Sequence, residues 1–148
     1  MAKSYPKPVK FVPKNKHKYE GNYEDVWARS SWEIKFMNWC DNNPAIISWS
    51  SEETVVPYIC GTDNKPHRYF LDFKIKVKSK DGSIKTYLVE VKPFAQTQPP
   101  KYKGKQTKRY LNESMTFIKN QSKWKYAEKY CKDRGWFFRI ITEKDLKV

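Results

Sequence analysis

The fold class that the sequence predicts is mixed α/β, a β-sheet flanked by helices and preceded by an extended basic N-terminal arm. Three observations predict it. An aromatic-rich helical period comes early, between two turn-forming clusters. A series of β-branched and aromatic segments follows, and the most regular pair of them meets at Asp81-Gly82, a strong hairpin signal. A helical stretch then carries the chain back to one last strand. Hairpin-joined strands run antiparallel and a helical crossover returns the chain parallel, so the sheet is mixed.

Residues 1–20 are read as the arm and 21–148 as one domain, a length that buries a core without disulfide staples. In the arm, Pro6, Pro8 and Pro13 oppose a helix and the lysines around them oppose a packed core. Such an arm suits DNA phosphates or a protein partner. Ser30 or Ser31 begins the first helix, because a serine hydroxyl accepts from the unpaired amides of a helix start. Trp32, Phe36 and Trp39 follow at helical spacing, and Pro44 ends the helix near Asn42 and Asn43.

Ile46 to Trp49 and Thr54 to Cys60 read as strands, and Gly61 to Pro66 as a turn. From His67 to Lys78 two parities separate. Tyr69, Leu71, Phe73, Ile75 and Val77 share one face, and Phe70, Asp72, Lys74, Lys76 and Lys78 share the other, as in a half-buried strand. Ile84 to Val91 returns as its partner and Pro93 ends it. Gln96 to Lys108 is a polar, lysine-rich loop with Pro99-Pro100. Two helices are expected next, Leu111 to Lys119 and one capped by Ser122 that runs to about Lys132. Gly135 stops it, Trp136 to Thr142 is the final strand, and Glu143 to Val148 is a tail or one helical turn.

The net charge is +14, from 30 Lys and Arg against 16 Asp and Glu, and favours a polyanionic partner. Nucleic acid is the first expectation. A membrane surface would require a basic amphipathic helix or lipid anchor, and neither is evident. The three cysteines, Cys40, Cys60 and Cys131, are far apart and odd in number, which opposes a disulfide framework and a zinc knuckle. Buried thiols in a reducing compartment are expected. The first 18 residues carry no apolar core of a secretory signal and no run has the length of a membrane span, so a cytosolic protein is expected.

Four charged residues stand among apolar neighbours. Asp72 lies inside Tyr69-Phe70-Leu71-Asp72-Phe73, although Asp is disfavoured in strands. Glu90 and Lys92, in Leu88-Val89-Glu90-Val91-Lys92-Pro93, are two apart and project from one strand face. Glu33 is in the aromatic first helix. Pairing symmetric about Asp81-Gly82 sets Asp72 opposite Val91, one position from Glu90, so a bulge or shifted register is needed to bring the two acids together. Converging carboxylates are hard oxygen ligands for Mg²⁺ or Mn²⁺, which polarise phosphodiesters and acidify bound water. A lysine beside them stabilises charge on the reacting phosphate. A Glu-x-Lys pair alone is most often an incidental surface ion pair. The specific signal is an acid in an apolar strand, a hairpin, then Glu-x-Lys and an abrupt proline. With only His17 and His67 available, a histidine-based nuclease is disfavoured.

Asp72…Glu90-x-Lys92 resembles the motif of the PD-(D/E)XK nuclease superfamily, and the element order resembles its restriction-endonuclease-like αβββαβ core. Arg29-Ser30-Ser31-Trp32-Glu33, the two strand motifs and the end of the chain from Lys123-Trp124 to Ile141-Thr142 look like the TnsA-like endonuclease branch. The likeness runs from about Arg29 to Leu146. A likeness to the head completion nucleases of T4-like tailed phages also takes in the arm, with Lys18-Tyr19-Glu20-Gly21. The resemblance implies a Mg²⁺-dependent endodeoxyribonuclease with Glu33, Asp72 and Glu90 as metal-linked acids and Lys92 as catalytic lysine. It also implies action after DNA packaging, with phage capsid and portal-vertex proteins as partners, in the host cytoplasm or as a component of the virion head. Leu71 stands where the motif has its proline, a position without a chemical duty.

Arg29, Arg68, Lys105 and Lys108 are secondary candidates for DNA contacts, against plainer readings as local ion pairs or a solvated loop. His67 is read as a surface residue. The rival functions are a structural phage head or neck protein and a DNA-binding module that keeps a nuclease fold with little catalysis. Loss of a carboxylate or of the lysine would mark the first, and this chain retains all of them; the intact acidic cluster opposes the second, because buried acids repel phosphates unless a metal intervenes.

Overall fold

The structure is a computed structural model that describes residues 4–147, so Met1 to Lys3 of the arm and Val148 of the tail lie outside the described residues. The expected mixed α/β fold is present. The elements are β1 (Ser4–Lys10), β2 (Trp27–Ser30), α1 (Ser31–Asn42), β3 (Ile46–Ser51), β4 (Val55–Ile59), β5 (Pro66–Phe70), β6 (Phe73–Lys78), β7 (Ile84–Val91), α2 (Lys108–Arg134), β8 (Phe137–Ile141) and α3 (Glu143–Leu146). The central sheet has the order β3-β6-β7-β8. Its first three strands are antiparallel and β8 joins β7 in parallel after the α2 crossover. Taken with α1 and α2, this is the αβββαβ order. The β4–β5 pair is a separate two-stranded ribbon inserted between β3 and β6, and β1–β2 is another in front of α1.

Apolar side chains fill both faces of the central sheet. On one side Phe36, Met37 and Cys40 of α1 pack with Trp49, Phe73, Ile75 and Val89. On the other, Trp124, Ala127 and Cys131 of α2 pack with Leu88, Phe138, Tyr69 and Leu71. Trp49 is fully buried, and the rings of Phe11 and Tyr19 meet it edge-on at 5.7 and 4.9 Å. Phe11 and Tyr19 belong to the N-terminal segment, so an extended chain that looked solvated contributes to the core. An aromatic side chain buries roughly 150–250 Å², enough to hold such a segment in place.

Polar groups complete the anchorage of that segment. The Asp41 carboxylate, at the end of α1, accepts from the backbone N–H of Lys14 at 2.9 Å and of Asn15 at 3.2 Å. The Lys18 ammonium is buried and donates to the carbonyls of Cys40, Asp41 and Asn43 at 2.8, 3.1 and 2.9 Å. A cation is thereby placed on the unpaired carbonyls at the negative end of the helix. Lys18 is committed to the fold and unavailable to DNA.

Three sequence expectations change. The strand expected over His67 to Lys78 is broken at Leu71-Asp72. Up to Phe70 the chain pairs with β4, and from Phe73 it pairs with β3 and β7. The two helices expected over 111–132 are one helix. The Ser122 hydroxyl caps nothing; it donates back to the Ile118 carbonyl at 3.0 Å and accepts from Gly61 N–H at 3.0 Å. The cap is Thr107, whose side chain accepts from Tyr110 N–H at 3.0 Å, and Gly135 closes the helix in the left-handed region at φ 71°. The third change is β2, a strand the sequence reading did not contain.

Candidate active site

The register of the β6–β7 hairpin decides whether the two acids meet. Lys78 pairs with Ile84 across a Ser79–Ser83 loop, and the ladder runs unbroken to Phe73 opposite Val89. Continued one step, this register would set Asp72 opposite Glu90, although the ladder itself stops at Phe73. The turn is displaced slightly from the centre assumed in the sequence, so no bulge is required. Asp72 itself has left the strand. Its Oδ2 accepts from Val91 N–H at 2.8 Å, in place of a backbone carbonyl. The β-ladder ends there and the carboxylate is held against the Glu90-Val91 backbone.

Glu90 is buried, at 5% exposure. Its Oε2 accepts a hydrogen bond from the Tyr69 hydroxyl, and its Oε1 is 3.3 Å from the Lys92 ammonium. Lys92 is fixed through its backbone, because its N–H donates to the Ile141 carbonyl at 2.9 Å and continues the β7–β8 pairing one residue past Val91. Pro93 then turns the chain away. The order Glu90, Val91, Lys92, Pro93 therefore puts acid and ammonium on one face at the end of a strand.

Part of Asp72 reaches solvent, yet protein surrounds its carboxylate. Burial raises its pKa well above the ordinary value, and the nearby Glu90 charge raises it further. The Val91 N–H, and more weakly Lys92, act in the opposite direction. Glu33 adds to the repulsion at Asp72, so the first helix reaches the electrostatic neighbourhood of the pair. Burial also raises the pKa of Glu33, opposed by the N–H of Arg29.

Glu33 has a second occupation. Ser30 caps α1 by accepting from Glu33 N–H at 3.2 Å, and the Glu33 carboxylate reaches back to Arg29 N–H at 3.3 Å and the Ser30 hydroxyl at 3.4 Å. Ser30-x-x-Glu33 thus works much as a capping box does. The cap aims the carboxylate at the start of the helix, toward the Asp72 side of the molecule.

The sequence reading missed three residues of this neighbourhood. Tyr69 holds Glu90, and burial raises its pKa sharply, with the Glu90 charge next in effect. Lys123 of α2 lies over the Tyr69 ring, 5.3 Å from its centroid. Burial lowers its pKa, the Glu90 charge raises it, and Lys92 and Lys119 lower it further, which makes Lys123 a second cation facing the carboxylates. Glu52 has a left-handed backbone at φ 56°, donates its N–H to the Asp72 carbonyl at 3.1 Å and pairs with Arg29. A non-glycine residue in that region costs roughly 1 kcal/mol or more. The turn it forms carries the chain edge past Asp72. Only Lys123 had a local signal, a lysine beside the core residue Trp124.

The secondary candidates are scattered. Arg29 is beside the acids, with its guanidinium on Glu52, and lines a cleft of about 410 Å³ with Asp25, Trp27, Glu53 and Phe70. Arg68 is exposed on β5 over the Phe70 ring at 5.5 Å. Lys105 lines a different cleft of about 490 Å³ near Phe94 and Tyr110. Lys108 is exposed in the first turn of α2.

Two comparisons place the chain in a family. The model of the TnsA-like endonuclease N-terminal domain matches residues 43–143, which include Asp72, Glu90, Lys92 and Lys123 and leave Glu33 outside. The chain is 42% identical over 143 residues, 94% of its length, to the "Head completion nuclease" of Enterobacteria phage T4, 93% of which is covered. No solved structure matches. A family match across most of the chain and a relative 42% identical over 94% of it show that this chain belongs to the TnsA-like endonuclease family.

Proposed function

We propose that the chain is a metal-dependent DNA endonuclease of PD-(D/E)XK type that acts in phage head completion after DNA packaging. The observation that carries this reading is the Asp72 carboxylate held on Val91 N–H at 2.8 Å, beside Glu90 in sequence, with the Lys92 ammonium 3.3 Å from Glu90. Two carboxylates in one another's field are unfavourable unless protons or cations compensate them. They form a hard oxygen donor set, which fits Mg²⁺ or Mn²⁺. Asp72 and Glu90 would hold that ion and Glu33 would serve its water shell. Bound there, the ion would polarise the phosphodiester and lower the pKa of a water. Tyr69 fixes the orientation of Glu90. Lys92 and Lys123 supply positive charge where the phosphate gains negative charge.

The net charge of +14 draws the protein to DNA, and Arg29, Arg68, Lys105 and Lys108 are assigned to that surface. The phage T4 relative's name supports the place in head completion; capsid or portal-vertex proteins are the partners we propose for that step. Host cytoplasm, or the virion head itself, is the corresponding location. No described helix is long and apolar enough to cross a membrane. The direct test is incubation with supercoiled and linear DNA in Mg²⁺, Mn²⁺ or EDTA. Cleavage with either metal and none in EDTA is expected. Intact DNA in both metals, or cutting that persists in EDTA, would refute the reading.

Glu33→Gln separates the two occupations of Glu33. Glutamine keeps an acceptor for the helix start, since Gln serves at this capping position as Glu does. It removes only the charge. The thermal midpoint is expected to hold within a few degrees, while the Mn²⁺ midpoint for cleavage rises about tenfold. A cleavage-versus-Mn²⁺ curve that superimposes on wild type would leave Glu33 a capping residue alone.

A further inference from the structure

We propose that the turn closing the β4–β5 ribbon is a second metal site, in which the Cys60 thiolate, the Asp63 carboxylate and the His67 imidazole bind a transition-metal dication, Zn²⁺ by the character of the donors. One ligand atom from each of the three lies within 4.8 Å of the others. Metal–ligand bonds of about 2.0–2.3 Å set tetrahedral ligand atoms roughly 3.3–3.7 Å apart, so closing the site takes about 1 Å of side-chain movement. Sulfur and nitrogen donors select borderline ions such as Zn²⁺, whereas the Asp72–Glu90 pair selects hard ones. The two sites therefore differ in chemistry as well as in place.

The turn is organised for this. Cys60 N–H donates to the Lys65 carbonyl at 3.1 Å, and Asn64 N–H donates to the Cys60 carbonyl at 2.8 Å. Asp63 Oδ1 accepts from Lys65 N–H at 3.0 Å, which turns Oδ2 toward His67 Nε2 at 2.8 Å. The His67 ring stacks against Tyr58, with centroids 5.6 Å apart, so its orientation is fixed from behind. Cys60 Sγ is buried, 3.0 Å from the Thr62 hydroxyl. Asp63 and His67 are exposed and leave an entry path for the ion and room for a water as fourth ligand. Metal binding would release the Cys60 thiol proton to solvent.

The site is coupled to the candidate centre through packing. Gly61 N–H donates to the Ser122 hydroxyl, and a Cβ on Gly61 would stand 3.1 Å from Ile118 Cγ2, so the turn is docked on α2. Lys123 follows Ser122 on that helix, and β5 leads from the turn to Tyr69. An ion here would clamp the ribbon to the element that faces the carboxylates.

Full-length metal-free protein, with excess Mg²⁺ to occupy the carboxylate pair, is titrated with Co²⁺ and then with Zn²⁺. Wild type and Asp72→Asn are both expected to bind one Co²⁺ with a thiolate-to-cobalt charge-transfer band, which Zn²⁺ removes. Cys60→Ser abolishes the band, and His67→Ala weakens Co²⁺ binding at least about tenfold. Because His67 is exposed, that variant tests the site without disturbing the core. Zn²⁺ raises the thermal midpoint of wild type and leaves that of His67→Ala unchanged. Absence of the band in wild type, its persistence in Cys60→Ser, a Co²⁺ affinity of His67→Ala equal to wild type, or a Zn²⁺-raised thermal midpoint in His67→Ala would reduce the cluster to a surface Asp–His ion pair beside a buried thiol.

Discussion

Asp72→Ala and Asp72→Asn are each expected to lower DNA cleavage by about three orders of magnitude or more, roughly 4 kcal/mol of transition-state stabilisation. The two variants differ in the folded state. Alanine leaves the part-buried Val91 N–H without its acceptor, a loss of roughly 1 kcal/mol. Asparagine keeps an oxygen there and removes the charge that burial and Glu90 both oppose. Metal-free Asp72→Asn is therefore expected to melt no lower than metal-free wild type, and Asp72→Ala several degrees lower. Wild-type cleavage by Asp72→Asn would end the assignment.

The raised pKa of Asp72 also fixes a pH dependence. Between the ordinary carboxylate pKa and the raised one, the folded protein holds a proton that the unfolded chain has lost. Stability from that proton is fully present below the ordinary value and is lost as pH rises through the raised one. Glu33, also raised, acts in the same direction. The thermal midpoint of metal-free wild type is expected to fall as pH goes from acid to neutral, and to fall less in Asp72→Asn. Mg²⁺ held at the proposed carboxylate site would favour the folded form and should recover the loss at neutral pH. A wild-type midpoint that rises with pH over this range in EDTA would contradict the burial of the pair.

The part of this site that was legible is the part carried by one hairpin. Alternation on both sides of Asp81-Gly82 identified the strands, and an acid among apolar residues identified Asp72. The break before Phe73 was invisible because Tyr69, Leu71 and Phe73 are all buried. Their alternation continues while the pairing partner changes from β4 to β3 and β7. The single α2 was hidden by Asn120-Gln121-Ser122, a polar run that reads as a boundary. In the fold Asn120 is buried and Ser122 bonds the ribbon turn. The N-terminal segment was obscured by its prolines and lysines, since its attachment rests on Phe11 and the adjacent pair Lys18-Tyr19, which form no periodic pattern. Tyr69 and Lys123 gain their relation to Glu90 only through long-range packing, which local periodicity does not encode.

Lys92→Met is the second substitution with a large expected effect, and it separates catalysis from attraction. Methionine keeps most of the length and apolar stem of lysine and removes the charge. One positive charge among 30 Lys and Arg contributes little to the overall pull on DNA, so the dissociation constant should change by no more than about twofold. At the candidate centre the ammonium is 3.3 Å from Glu90, where, on the proposed function, it would oppose the negative charge that grows on a phosphate under attack. Removing one such preorganised group costs about 10²- to 10³-fold in rate. A stabilising interaction made only in the transition state lowers kcat and leaves ground-state binding alone. Lys123 is close enough to Glu90 for its charge to register there, so it supplies a residual cation. Lys123→Met alone is expected to cost less than Lys92→Met. The double variant should lose less than the product of the two single losses if the cations share one phosphate, and the full product if each serves a different one. Single-turnover cleavage with DNA bound in excess of its dissociation constant measures the rate, and fluorescence anisotropy in Ca²⁺ measures binding. If Lys92→Met lowered both by one common factor, Lys92 would be an ordinary phosphate contact and the cationic role would pass to Lys123.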